Sequence, residues 1–352
     1  MIPTDAVPLR VVQWTTGNVA RATVRAILRD PGLELAGCYA WSPDKAGQDV
    51  ALLCGLPEPC GVLASGDVDA LLATAPDCVV YTPLHFEPET VERILRSGVD
   101  VVTTAEFLTG HSLPSGTRAR LEEAARAGGA SLFGSGMNPG YAQLLAAVAT
   151  GICREVRHVR SVESVDVSQF ASDANMDGLG WGRPLGDPGH ADDVRAAVAV
   201  FEDGVHVLAD CLGLEVDRVE CRVDFAAAVR DLDLPGRPIA AGTVAGLDVR
   251  FVGIVAEREV IELHQRWVMD RRLEPEMLAD HAYRIEVDGS PQVTLTLGLM
   301  PDQPLETLTV EDMHGIGMTI TAMPVVHAIR HVLAARPGLL TYADIPAPAG
   351  RL

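Results

Sequence analysis

The chain is poor in basic charge. Over 352 residues, 28 lysines and arginines face 48 aspartates and glutamates, a formal net charge of −20. No segment builds the Lys/Arg face that neutralises a phosphate backbone, which excludes nucleic acid as a partner. A small anionic cofactor stays compatible, because backbone amides hold anions within a negative surround. Aromatic residues make up only 5% although 48% of the chain is apolar, so the core must rest mostly on Ala, Val and Leu. The seven cysteines (Cys38, Cys54, Cys60, Cys78, Cys153, Cys211, Cys221) form no C-x-x-C pair and leave one over, the usage of a reducing cytoplasm. A charged-then-apolar leader is missing, as is an apolar run of about 18 residues. The expectation is a cytoplasmic protein without membrane contact. Nor is a metal expected: H-E-x-x-H is absent, and His327 and His331 lie four apart with Arg330 between them and no acids nearby.

What is present changes character midway. From Arg10 to about Ala149, short apolar runs ("LRVVQW", "LELAGCYA", "DCVVYTP", "VDVVTTA", "ASLFGSG") alternate with helical ones. Strands apolar on both faces, parted by amphipathic helices, predict a Rossmann-like doubly wound parallel sheet over 1–149. From "EVRHVRSVESVDVSQF" to "PQVTLTLGL" apolar and polar residues alternate instead. Such period-two strands predict an α+β domain with a mostly antiparallel sheet over 150–312, for substrate and dimerisation. A helical segment, 313–352, is expected to pack back on the first domain.

The first strand runs into "RVVQWTTGNVARATVRAIL" without the three glycines of a dinucleotide turn. Laid on that fingerprint, Thr15, Gly17 and Ala20 take the glycine positions. Gly17 permits close approach of a pyrophosphate, and Ala20 lets the helix sit close to the strand. Thr15 departs from the pattern, though its hydroxyl and that of Thr16 are phosphate donors; Asn18 and Val19 open the helix. Where an NAD enzyme usually carries an acid after the second strand, "CYAWSPDKAG" offers Ser42 and Lys45. A hydroxyl and an ammonium suit a 2′-phosphate, which favours NADP(H) over NAD(H). Against this, Asp44 beside Lys45 fits an ordinary solvated turn.

Ligands of open α/β sheets bind beyond the carboxyl ends of the strands. Three such ends carry candidates: Thr82 and Pro83 in "VVYTPLHF", Glu106 in "VVTTAEFLTG" and Asn138 in "LFGSGMNPGY". A carboxylate a few residues past an apolar strand is expected to be partly desolvated, which suits proton transfer near neutral pH; capping the next helix is an equal alternative. Asn138, between glycines and before Pro139, presents an amide to cofactor or substrate, or forms a plain turn. Phe107, Met137 and Tyr141 near these loops, with Phe170, His264 and Trp267 in the second domain, are candidate pocket walls. For His264 an ordinary half-buried histidine is the alternative.

Together "VVQWTTGNVAR", "WSPDKAGQDV", "VVTTAEF", "GSGMNPGYAQ" and "TAMPVVHAIRHVLAARPGLLTYADIP" resemble the dihydrodipicolinate-reductase-like group. Within it the chain is most similar to native NAD(P)H-dependent amine dehydrogenases and 2,4-diaminopentanoate dehydrogenases. The resemblance implies reversible reductive amination of a ketone or aldehyde with ammonia. Glu106 would be the catalytic carboxylate, Asn138 the family's "NPG" asparagine, the pocket largely apolar, and "SQFASDANMDGLGWGRP" a substrate-facing loop. His327 and Ala20 depart from relatives that carry asparagine and glycine there, which touches cofactor affinity and helix packing. "PSGT" at 114–117 mimics dihydrodipicolinate reductase but lacks the adjoining His-His-x-x-Lys, so that enzyme is not indicated. An imine or ketone reductase without ammonia use, and a non-catalytic NADP(H) sensor, are the remaining alternatives. Open sheet edges suggest a homodimer.

Overall fold

A computed structural model describes residues 7–304 and 307–350; the first six residues of the expected first domain and the last two of the expected C-terminal segment lie outside them. The chain divides into two units, Met1–Tyr141 with Gly317–Leu352, and Ala142–Ile316. These junctions differ from the expected 149/150 and 312/313. Helix α6 (Ala142–Thr150) packs on strands and helices of the second unit. The other junction falls inside helix α9 (Val310–Leu333), whose buried side chains begin only at Ala322.

In the first unit the chain runs β1 (Leu9–Trp14), α1 (Asn18–Arg29), β2 (Leu33–Tyr39), α2 (Val50–Leu53), β3 (Ala64–Ser65), α3 (Val68–Leu72), β4 (Cys78–Tyr81), α4 (Pro88–Arg96), β5 (Asp100–Thr103), α5 (Thr117–Gly128) and β6 (Ser131–Gly134). With β14 (Gly338–Leu340), these strands form one parallel sheet in the order β14-β6-β5-β4-β1-β2-β3. The residues of β4 and β6 are buried throughout, as a sheet covered on both faces requires. Helix α1 buries Ala20, Thr23, Val24 and Ile27, the i, i+3, i+4, i+7 pattern of one helix face. The strand order reverses at β1, whose neighbours are β2 and β4, and the carboxyl ends of these strands flank the ligand crevice typical of such sheets.

The C-terminal segment belongs to this unit. Arg330 forms two 2.9 Å hydrogen bonds to the Asp30 carboxylate, and β14 pairs with β6. Over Glu311–Leu333, α9 is long and apolar enough to cross a membrane by length and composition alone. Its Ala322, Val325, Val326, Ala328, Ile329 and Val332 are nevertheless buried, as in a core helix.

In the second unit, α6 leads to β7 (Glu155–Asp166), α7 (His190–Ala197), α8 (Val200–Leu212), β8 (Arg218–Ala228), β9 (Val244–Val255), β10 (Arg258–Val268), β11 (Leu273–Glu274), β12 (Ala282–Ser290) and β13 (Val293–Leu297). The sheet order is β11-β8-β9-β10-β7-β12-β13, antiparallel except for the parallel pair β10–β7. One face packs Val159, Leu247, Val249, Phe251, Ile261, Leu263, Ile285 and Val287 into a core with Val205 and Leu208 of α8. Each such side chain stabilises by about 1.5–3 kcal/mol. The opposite face carries ion pairs, among them Arg160–Glu262 at 2.8 Å and Arg250–Asp248 at 2.8 Å.

Candidate active site

At the end of β1, Thr15 has φ +78, a conformation costly for a β-branched residue. The fingerprint's first position thus keeps the backbone of a glycine while carrying a threonine. Two bonds hold it: the Thr15 N–H donates to the Tyr39 carbonyl at 2.9 Å and its hydroxyl to the Thr82 carbonyl at 3.2 Å. Beneath the turn lies Gln13, fully buried. Its amide nitrogen donates to the Trp14 carbonyl (2.9 Å) and to the Thr82 hydroxyl (2.8 Å), while its carbonyl accepts from Thr23 of α1. Gln13 therefore ties β1, β4 and α1 together under the candidate cofactor loop. The sequence reading missed it, since a polar residue in an apolar strand was its only signal.

Gly17 caps α1 with no side chain bonded to the first-turn amides, and a Cβ there would meet nothing within 4 Å. Asn18 is exposed and Val19 half-buried in that first turn. Lys45, the single lysine of the chain, donates from Nζ to the Thr16 hydroxyl at 2.9 Å. Its backbone N–H closes a turn on the Ser42 carbonyl at 3.0 Å. The turn after β2 and the turn after β1 are thereby brought together, with a cation at their junction. Thr82 is buried and Pro83 half-buried at the neighbouring β4 end.

Glu106 occupies the apex of a three-residue turn, closed by the Phe107 N–H on the Ala105 carbonyl. Ala105 and Phe107 are buried, so the side chain between them is directed outward. Its carboxylate accepts from the Phe86 N–H at 3.3 Å and lies 3.6 Å from His85 Nδ1, a neighbour absent from the sequence reading. At 49% exposure it is not the desolvated group expected from its place after an apolar strand. The two adjoining phenylalanines turn into the core instead, stacked at 5.4 Å. Phe107, expected as a pocket wall, is fully buried there. The turn is pressed against β6: a Cβ on Gly134 would lie 1.8 Å from the Phe107 carbonyl oxygen.

Beyond β6, Ser135 bonds the Thr103 carbonyl through its N–H (2.9 Å) and shares a 2.6 Å hydrogen bond with the Tyr342 hydroxyl. Asn138 and Pro139 are extended and Gly140 has φ +132. A Cβ at Gly140 would approach Ser135 Oγ to 2.5 Å, so the NPG turn folds directly onto this serine. Asn138 and Tyr141 are half-buried on the turn and Met137 is buried.

In the second unit, Phe170 is half-buried and its ring centroid lies 5.2 Å from that of His314. Trp267 is half-buried and donates from Nε1 to Glu163 at 3.2 Å. His264 does not line open space. It is 1% exposed, with Nε2 2.7 Å from Asp248 and Nδ1 2.6 Å from Arg160. A guanidinium can only donate, so Nδ1 accepts and Nε2–H donates to the carboxylate. Burial opposes ionisation of Asp248, but the hydrogen bond from His264 and the guanidiniums of Arg250 and Arg266 outweigh it and hold its carboxyl below the usual carboxylate range. This histidine braces the ion-paired face. Among the described residues no group of three or more His, Cys, Asp or Glu could hold a metal ion.

The donor set at the first turn, with first-turn amides uncapped by any side chain, the Thr16 hydroxyl and the Lys45 ammonium, fits an anionic dinucleotide. The sequence model of the 2,4-diaminopentanoate dehydrogenase C-terminal domain matches residues 142–352. An amine dehydrogenase of Streptomyces virginiae is 30% identical, with 96% of each chain covered. A 2,4-diaminopentanoate dehydrogenase of Acetoanaerobium sticklandii is 25% identical over 82% of this chain and 78% of its own. The fold matches that of the amine dehydrogenase from Mycobacterium smegmatis with a TM-score of 0.78, at 22% identity and 97% coverage of each. The chain belongs to the 2,4-diaminopentanoate dehydrogenase family of NAD(P)-dependent oxidoreductases acting on CH–NH2 donors.

Proposed function

We propose that the chain catalyses reversible reductive amination of a small ketone or aldehyde with ammonia, using NADP(H) in preference to NAD(H). The carrying observation is Glu106, an accessible carboxylate at a turn apex held by the Phe86 N–H, on the strand-end edge that also bears the Thr15–Val19 turn. Lys45 over Thr16 supports the 2′-phosphate preference. Thr15, Thr16, Gly17, Asn18, Val19, Ser42, Lys45, Thr82, Pro83 and Asn138 would hold the cofactor, which when bound supplies or accepts the hydride. Glu106 takes a proton from ammonium to free the attacking amine. It then returns that proton to the carbinolamine hydroxyl as water leaves, and the ionised carboxylate stabilises the resulting iminium. A substrate seated against the carboxylate displaces water from it and strengthens both roles. Met137 and Tyr141 are the proposed walls within the first unit.

The same reading includes a cytoplasmic homodimer formed through the ion-paired face of the second sheet, whose alternating charges can complement a second copy. A monomeric mass in solution would remove that element. The central test follows NADPH absorbance with short ketones, with and without ammonium. Oxidation should require ammonium, and Glu106→Gln should lose nearly all turnover while still binding NADPH. Equal rates without ammonium would indicate a plain imine or ketone reductase, and NADPH bound but never oxidised would indicate a sensor.

A further inference from the structure

Gln265, on β10, is 1% exposed, and neither its amide nitrogen nor its carbonyl oxygen has a hydrogen-bond partner. A buried amide left without partners is costly and rare enough to need a cause. Its place in the sheet supplies one. Glu163 of β7 stands directly opposite it, and Tyr283 of β12 directly opposite Glu163. Three polar side chains thus form one row across three adjacent strands, on the same face as the apolar Leu263 and Val159. Glu163 accepts from Trp267 Nε1 at 3.2 Å, and a carboxylate has capacity for several further donors. Burial, with the Glu163 charge, pushes the Tyr283 pKa upward, so its hydroxyl remains a neutral donor and acceptor. Glu163, Trp267 and Tyr283 are half-buried where Gln265 is closed in, so the row deepens from an accessible rim to a buried amide. No arginine or lysine shares this face among the strand residues flanking the row, Leu247 to Phe251, Leu263 to Trp267 and Val159 to Val165.

We infer that the row Gln265–Glu163–Tyr283 is a binding site for a protonated amino group, NH4+ or R–NH3+. The Gln265 carbonyl, the Glu163 carboxylate and the Tyr283 oxygen would accept its three or four N–H bonds. Calling that group part of the substrate rests on the amine-dehydrogenase reading; the site itself does not. The test is calorimetric titration of the whole protein with ammonium chloride, tetramethylammonium chloride, propylamine and 1,3-diaminopropane. Binding of 1,3-diaminopropane about tenfold tighter than propylamine, with no response to tetramethylammonium, is expected if the substrate's second amine is the source. Binding of ammonium itself identifies the free ion as the source. In either case Gln265→Leu and Glu163→Gln should abolish the effect, and Gln265→Leu should leave the thermal midpoint unchanged or raised. If Gln265→Leu fails to fold, the isosteric Glu163→Gln decides. Absence of binding by ammonium and by both amines, or binding that survives Glu163→Gln, overturns the inference. Turnover is read separately: amines oxidised with no Glu163-dependent binding sink the site alone, and such binding without any turnover sinks the proposed activity alone.

Discussion

Gln13→Leu tests whether the turn that carries Thr15 and Thr16 is held from below. The substitution keeps the volume of a fully buried side chain but removes three hydrogen bonds: those to Trp14 and Thr82, and the one from Thr23. Each partner keeps another bond, for the Thr23 hydroxyl still donates to Ala20 at 2.9 Å and the Trp14 carbonyl still accepts from the Thr82 hydroxyl at 3.1 Å. No group is orphaned, so the loss is about 1 kcal/mol per bond, about 3 kcal/mol in all. The extra apolar burial of leucine returns about 1 kcal/mol, leaving about 2 kcal/mol of destabilisation. Urea unfolding followed by circular dichroism should show a lower midpoint with an unchanged slope. NADPH titration should show weaker binding, because Thr15 at φ +78 is held partly through Thr82. Wild-type stability with wild-type NADPH affinity would refute the idea that Gln13 bolts the turn.

Further outcomes follow from other elements of the first unit. Burial pushes the Asp100 carboxyl to about 6, against lowering contacts from Ser131 and with help from Asp77. Its folded pKa lies above the unfolded one, so the penalty is absent below about pH 4 and complete above about pH 6, at most about 3 kcal/mol. Asp100→Asn should therefore stabilise at pH 8 and not at pH 4, and a gain equal at both values would contradict the assignment. Lys45→Ala should weaken NADPH about tenfold more than NADH in fluorescence titrations, and NADPH should shield Lys45 from acylation mapped by mass spectrometry. Equal loss for both cofactors would remove the 2′-phosphate role. Gly134→Ala should reduce kcat sharply or prevent folding, since its Cβ would overlap the Phe107 carbonyl at 1.8 Å; an active, stable variant would mean that Glu106 is positioned in another way.

The parallel sheet was legible because runs such as "CVVY" and "SLFG" are apolar on both faces and leave few alternatives to a covered sheet. The turn at Thr15, Gly17 and Ala20 was legible through spacing alone, and the left-handed φ of Thr15 shows why glycine is the usual residue there. Tyr342 on Ser135 was not legible, since 207 residues separate them and no local pattern encodes the pairing. The exposure of Glu106 was misjudged for a local reason. Proximity to an apolar strand predicts burial, but in a tight turn the direction of a side chain is set by its neighbours, and Ala105 and Phe107 take the inner positions.

His264 and Gln265 carry the same lesson into the second unit. They are consecutive on β10 and about equally buried, yet a strand sends them to opposite faces. Hydropathy assigned neither face, because both carry polar residues at this level. His264 sits among Asp248, Arg160 and Arg266, and Gln265 stands in line with Glu163. A register slip of one residue would exchange them, placing an amide in the ion-paired cluster and an imidazole against the core. Of the two, only the histidine was singled out in the sequence, as a candidate pocket wall near Trp267. Register reverses that ranking: the histidine has both nitrogens engaged in bracing a sheet, and the glutamine has both amide atoms left for something else to bind.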